Sequence, residues 1–272
     1  MANKPAECVQ IACNAGQYKA GLSTGNYLIR GFMAGLYIAI GGALATVCST
    51  GVENIAPGLK SLIAGAVFPV GLIAIVLTGM ELFTGDAMLL PMAAMSRKTT
   101  WGKVFEVWFW VYIGNFIGSI FWAYLMAVGP FSKGGLAELT AFGANAVGIA
   151  QAKTLPYMAA GGAGLWSAFM KGIACNLLVN LAILLAFSSK NMIGKFFGIW
   201  FPIMAFVSSG FEHSVANMYF IPAGILCGAN VTWGQFFVWN LIPVTIGNII
   251  GGFVFIGVVY YFAFKGELPK ET

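Results

Sequence analysis

The chain has 272 residues, of which 59% are hydrophobic and 8% charged. A soluble domain is about a quarter charged and less than half apolar. There are too few charges here to cover a water-facing surface, so the expected solvent is the bilayer. The excess of 14 Lys+Arg over 9 Asp+Glu records orientation in such a chain rather than an acidic partner. Secreted disulfide scaffolds, soluble dinucleotide-binding enzymes and nucleic-acid modules are thereby excluded.

The stretch before Leu28 is short, polar and glycine-rich, with Lys4, Glu7 and Lys19 but no apolar core. It does not read as a signal peptide, and it predicts a cytoplasmic segment over 1–27. Uncharged stretches of membrane length then recur. They predict spans at 28–51, 61–95, 104–129, 168–188, 196–220 and 234–263, with a cytoplasmic tail over 265–272. No charge stands between Ser214 and Phe264, which leaves room for a half-span, a turn near Pro222 and a full helix. Spans two and five are interrupted by polar residues. Basic residues favour one side: those of 4–30, 97–103, 190–195 and 265–270 outnumber Lys60, Lys133, Lys153 and Lys171. Both termini are therefore expected in the cytoplasm of a multi-pass plasma-membrane protein.

The single histidine, His213, is restrictive, because bis-histidine haem and histidine-rich metal sites need more. Cys8, Cys13, Cys48, Cys175 and Cys227 form no CxxC and suggest neither zinc nor an iron–sulfur cluster. No cofactor is expected, and no enzyme activity.

Comparison of the halves reveals an internal duplication. Arg30-Gly31 and Lys171-Gly172 open spans one and four. Ile113-Gly114-Asn115 and Ile246-Gly247-Asn248 lie in spans three and six. Gly79-Met80-Glu81 and Gly210-Phe211-Glu212 interrupt spans two and five. Each pair is separated by roughly 130–140 residues, the mark of a repeat. Three spans per repeat force the second (about 168–264) upside down relative to the first (about 28–130). Inverted repeats with a broken helix in each half are the architecture of membrane conduits.

The polar groups within spans are Glu81, Asp86, Glu212, His213, Asn115, Asn176, Asn180, Asn217 and Asn248. An ionisable group in hydrocarbon costs about 2.5–3.5 kcal/mol on insertion scales and so faces a partner or a cavity. For Glu81 and Asp86 the favoured role is structural, capping free N–H groups beside the break. The amides have two readings, as interhelical ties or as anion donors that add no charge. His213 is expected to be functional, because imidazole is costly to bury away from water and titrates near about pH 6.5.

Three motifs carry a resemblance: Glu81-Leu82-Phe83-Thr84-Gly85, Gly210-Phe211-Glu212-His213-Ser214-Val215-Ala216-Asn217-Met218, and Asn240-Leu241-Ile242-Pro243-Val244-Thr245-Ile246-Gly247-Asn248 with Ile249-Ile250-Gly251-Gly252. From about Leu28 to Phe264 the chain resembles the formate/nitrite transporters, most of all those of methanogenic archaea. The resemblance implies an all-α aquaporin-like protomer of six helices, with helices two and five broken, in a ring of five with one pore per protomer. It implies a mid-pore site at Thr84 and His213 beside Asn176 and Asn248. An outer constriction matches Phe68 and Phe206, and an inner one matches Leu72 and Leu82 with Phe83 alongside. Glu212 would pair with a lysine ahead of span four; Lys153 stands in the matching context and Lys171 is the second candidate.

A bare monovalent anion faces a desolvation cost of order 20 kcal/mol in apolar surroundings by an idealised estimate. Basic residues at a mouth concentrate anions without carrying them through an apolar neck. The expectation is therefore a channel for formate or a similar weak-acid anion, protonated at or near a site of Thr84, His213 and Asn248, with Glu212 tuning the imidazole. Nitrite or hydrosulfide are alternative substrates. A neutral-solute pore lacks support because neither break contains Asn-Pro-Ala. A membrane anchor of a redox enzyme would need haem ligands that one histidine does not supply.

Overall fold

The computed structural model describes residues 2–268. The end of the expected tail, with Lys270, lies outside the described residues. The N-terminal stretch is a helix, α1 (Pro5–Ala20). Pro5 sets its first turn, where a missing N–H costs nothing, and Lys4 N donates to Glu7 Oε2 at 2.7 Å. Its buried residues Val9, Ala12, Cys13, Gly16 and Ala20 follow the spacing of one helical face. That face packs against Met88, Met92 and Ile183.

Next come α2 (Thr24–Cys48), α3 (Pro57–Val67) and α4 (Val70–Thr78), the last two one apolar run that bends at Pro69, and then α5 (Phe83–Met95) and α6 (Trp101–Val128). A short hairpin, β1 (Ser132–Lys133) and β2 (Glu138–Leu139), leads to α7 (Ala141–Ala152) and α8 (Leu155–Ala159). Then follow α9 (Gly162–Ser188), α10 (Met192–Ser208) and α11 (Ser214–Leu226). The final run joins α12 (Trp233–Phe236), α13 (Ile242–Ile250) and α14 (Val259–Phe264) through π-helical turns at Phe237–Leu241 and Gly251–Val258. Among the described residues five stretches are long and apolar enough to cross a membrane: Thr24–Cys48, Gly58–Thr78, Trp101–Val128, Gly162–Ser188 and Trp233–Glu267. The region expected as the interrupted span five consists of two shorter apolar helices, α10 and α11. The fourth long helix starts at Gly162 rather than near 168, and Lys171 lies inside it with its ammonium held by Tyr157 Oη at 3.1 Å.

Small residues set the helix spacing. A Cβ on Gly31 would stand 3.0 Å from Val111 O across the α2–α6 contact, and one on Gly172 2.8 Å from Val244 O across the α9–α13 contact. Gly35, Gly118 and Gly251 likewise press on backbone of the facing helix. Helices in membranes associate through such close backbone approach.

The two breaks share one conformation. Gly79 (φ 72°) and Gly210 (φ 69°) end the first half-helices in the left-handed region, where a glycine closes a helix without strain. The chain then extends, with Leu82 at φ −114°, ψ 119° and His213 at φ −108°, ψ 117°. Glu81 N bonds Arg30 O at 3.4 Å, and Glu212 N bonds Lys171 O at 3.3 Å.

Candidate functional site

Neither Glu81 nor Asp86 caps a half-helix, contrary to expectation. Asn115 Oδ1 accepts from Phe83 N at 3.0 Å and Asn248 Oδ1 from Ser214 N at 2.8 Å. The amides then donate outward, Asn115 Nδ2 to Gly31 O and Glu81 O, and Asn248 Nδ2 to Gly172 O and Glu212 O. An amide both accepts and donates at once, so it ties both ends of a break; an ionised carboxylate only accepts. The carboxylates are drawn instead to Lys19, whose Nζ lies 2.5 Å from Glu81 Oε2 and 2.9 Å from Asp86 Oδ1.

The breaks meet where Thr84 Oγ1 and His213 Nε2 stand 3.0 Å apart, both buried. His213 also caps α11, its Nδ1 accepting from Ala216 N at 3.0 Å. A backbone N–H always donates, so a neutral ring carries its proton on Nε2 and donates to Thr84. The Thr84 hydroxyl proton is then free to point elsewhere. The Phe206 ring stacks on the imidazole with centroids 5.8 Å apart, and Phe68 meets Phe206 edge-on at 5.7 Å.

Two cavities share no lining residue: His213 lines the first, and Leu82 and Gly85, on either side of Phe83-Thr84 in the chain, line the second, while Thr84 lines neither. One, of about 240 Å³, is lined by Lys60, Phe68, Lys153, Phe206, His213 and Asn217 among others. The other, of about 200 Å³, is lined by Lys19, Leu72, Glu81, Leu82 and Asp86 among others. The structure thus brings His213, Phe68, Phe206 and Lys153 to one cavity and Leu72 and Leu82 to the other. Phe83 departs from its expected place beside Leu72 and Leu82. Its ring packs edge-on against Tyr112 at 4.8 Å and Trp108 at 6.1 Å, on the α6 side. Asn176 and Asn248 line neither cavity. Asn176 Nδ2 donates to Thr84 O at 3.0 Å and Asn248 O at 2.6 Å, joined by Asn180 Nδ2 on Thr84 O at 3.1 Å. Their amides hold the backbone that carries Thr84 and His213.

Glu212 pairs directly with Lys153, Nζ to Oε2 at 2.8 Å. Lys171 acts at one remove: it donates to Tyr157 Oη at 3.1 Å, and that hydroxyl donates to Glu212 Oε1 at 2.9 Å. Burial and the Glu212 carboxylate push the Tyr157 phenol above its ordinary range, so it stays a donor. Asn217 Nδ2 adds a 2.7 Å bond to Glu212 Oε2 and another to Asn240 Oδ1, while Asn240 Nδ2 holds Lys153 O at 2.9 Å. Sequence reasoning missed Tyr157, Asn240 and Lys19 as members of the site. The duplication held a signal for Lys19, since a glutamate matching Glu212 calls for a matching cation.

A family model described as formate/nitrite transporter matches residues 6–262. The chain belongs to the formate/nitrite transporter family. A probable formate transporter from Methanothermobacter thermautotrophicus is 41% identical over 97% of both chains. Among solved structures, an FNT family ion channel superposes with TM-score 0.80 at 30% identity, covering 95% of this chain and 98% of its own. A structure titled as a pentameric formate channel with formate bound superposes with TM-score 0.74 at 32% identity, covering 89% of this chain and 98% of its own. The formate/nitrite transporter fold therefore frames both cavities, and the homologues are transporters and channels rather than enzymes.

Proposed function

We propose that the protein conducts formate, or a similarly small weak-acid monoanion, through one pore per protomer of a homopentamer, with proton-linked passage past Thr84 and His213. The observation that carries this is the Thr84–His213 contact at 3.0 Å, made by the two broken segments, which line two separate cavities. The protomer is read as one domain over 28–264, with two inverted three-span repeats in the plasma membrane and both termini cytoplasmic. The recurrence of the same break geometry and amide bonds in both halves supports that reading.

Lys60 and Lys153 at one cavity attract the anion. Phe68 and Phe206 on that side, and Leu72 and Leu82 on the other, offer it nothing to replace its hydration, so the charged form stops there. Thr84 and Nε2–H of His213 are the donors an acid or its anion would meet, with Asn176, Asn180 and Asn248 fixing their backbone. Release of Nδ1 from Ala216 N–H would let the ring take a second proton and pass one on. Glu212, held by Lys153 and Tyr157, sets the charge behind the imidazole. The methanogen relative and the formate-bound pentameric structure support the substrate class and the ring of five.

Formate flux into proteoliposomes, with and without a pH gradient, tests the reading for wild type and His213→Phe. Loss of most of the flux and of its pH dependence in the variant is the expected result. Unchanged rate and pH profile would remove the proton-linked role of the ring, and glycerol flux exceeding formate flux in wild type would favour a neutral-solute pore.

A further inference from the structure

The two breaks differ in one chemically important respect. After Glu212, the amide of Asn217 donates to the carboxylate at 2.7 Å, and one carboxylate faces one ammonium, Lys153. At the matching place after Glu81 stands Asp86, so two carboxylates face the single ammonium of Lys19. All three residues line the same cavity of about 200 Å³. Glu81 is 2% exposed and Asp86 0%, and Asp86 Oδ2 has no hydrogen-bond partner among the described residues.

Among the described residues no second cation pairs with either carboxylate. Tyr18 lines the cavity with its hydroxyl held by Arg30 at 3.2 Å. On the α2 and α6 side, Tyr27 Oη bonds Lys19 O at 3.1 Å, and Lys103 lies over the Tyr27 ring while paired with Glu106 at 2.7 Å. Trp108 Nε1 takes the backbone oxygen of Asp86, not its carboxylate. From the remaining neighbours of α5, His213 stands on Thr84, Cys13 Sγ lies 3.7 Å from Met92 O, and Tyr261 Oη donates to Met95 O at 3.0 Å. From α9, Ile183 and Phe187 line the cavity, both apolar. Two buried like charges against one opposite charge are unfavourable unless a proton neutralises one of them. A protonated carboxyl at Asp86 or Glu81 would also restore the donor that the Asn217 amide provides in the other half.

We propose that Glu81 and Asp86 share one proton beside Lys19 and form a proton-donating station for the weak acid on that side of the barrier. The inference rests on the weak-acid reading of the pore and adds the proton source that reading leaves open. Neutral His213, with Nδ1 accepting from Ala216 N–H, carries only its Nε2 proton, donated to Thr84, and has no second proton to give. In the step, the carboxyl O–H bond of the pair breaks and its proton moves to a carboxylate oxygen of the anion. The neutral acid enters the apolar barrier past Leu72 and Leu82. The pair, left doubly ionised against Lys19, takes a proton back from water in the cavity.

Asp86→Asn gives Glu81 the amide neighbour that Glu212 already has, so the variant should fold; Glu81→Gln is the second probe if it does not. Infrared difference spectra of full-length protein in liposomes should show, in wild type near neutral pH, a protonated carboxyl C=O band that Asp86→Asn lacks. With pH set separately on the two faces, formate flux entering from the Lys19 side should fall by about tenfold or more in the variant as pH rises. A wild type with no such band at neutral pH overturns the shared proton. Loss of the band without change in flux or pH profile overturns the donor role. If wild type carries no formate, the pore reading fails, while the band still decides whether the pair holds a proton.

Discussion

Asn115 and Asn248 make the same three hydrogen bonds in the two halves of the chain. Each accepts from the first N–H of a second half-helix and donates to the carbonyls of a glycine across the helix contact and of the glutamate in its break. Both side chains are fully buried, so truncation orphans backbone groups that water does not reach. Asn115→Ala and Asn248→Ala should each destabilise the protein, by about 1–3 kcal/mol for each group left unpaired. Thermal unfolding in detergent checks this. Ser119→Ala, which removes only long bonds from one hydroxyl, 3.2 Å to Gly35 O and 3.5 Å to Val215 O, should be far milder.

Much of this arrangement was legible in the residues, for a physical reason. Breaks at membrane depth require polar residues and glycines inside apolar runs, and those stand out in a chain with 8% charge. Glu81, Asp86, Glu212, His213 and the asparagines within the spans stand out that way, whereas Thr84, Phe68, Phe206 and the choice of Lys153 or Lys171 for Glu212 follow only from the resemblance to the family. What stayed hidden was of two kinds. The helix α1 was masked because its buried face uses Ala, Gly and Cys, which give little hydrophobic signal although their spacing is helical. The direction of a side chain was the other: Phe83 begins a half-helix, and its packing toward Tyr112 follows from three-dimensional placement. The amides of Asn176 and Asn248 suit backbone ties and anion donation equally by residue type, and only their distances show the ties.

Phe68 and Phe206 meet edge to face at 5.7 Å and line the Lys153 cavity together with His213, and in the proposed pore they form its neck. Phe206→Ala should open that neck and raise the flux of acetate or lactate relative to formate, since shape and desolvation there set which acid passes. The same change deletes a buried ring at a cost of about 3–5 kcal/mol, so flux is to be read per folded protein, after size-exclusion purification. An unchanged acetate-to-formate ratio would place the size filter elsewhere.

Glu212 serves two cations of different rank, Lys153 directly and Lys171 through Tyr157. Glu212→Gln leaves the Lys153 ammonium without its anion in a largely buried place and should cost about 3–5 kcal/mol. Tyr157→Phe removes one neutral donor and keeps the pair, so about 1 kcal/mol is expected. Flux should follow the same order, with Tyr157→Phe shifting the pH profile more than the maximal rate, because it alters the charge behind His213 without touching the pore. Equal losses in the two variants would show that the hydroxyl, not the ion pair, holds the carboxylate.

Lys19 is the contact that fastens α1 to the first break. Burial opposes its charge, yet the carboxylates of Asp86 and Glu81 outweigh that and hold the ammonium above the ordinary lysine range. A folded-state value raised in this way stabilises docking fully below the ordinary lysine pKa and loses it only as pH climbs through the raised value. Alkali in the usual working range should therefore not release α1, whereas Lys19→Ala should. The reporter is Cys13, fully buried on the docked face, where burial pushes its thiol above the ordinary range and slows alkylation. Cys48, the exposed cysteine, is first replaced by serine. Breaking a buried pair costs about 3–5 kcal/mol, and if about 1.4 kcal/mol of it reaches the opening of α1, maleimide labelling of Cys13 rises about tenfold. Labelling as slow in Lys19→Ala as in the parent would mean that the apolar contacts of Val9, Ala12 and Cys13 with Met88 and Met92 hold the helix without the ion pair.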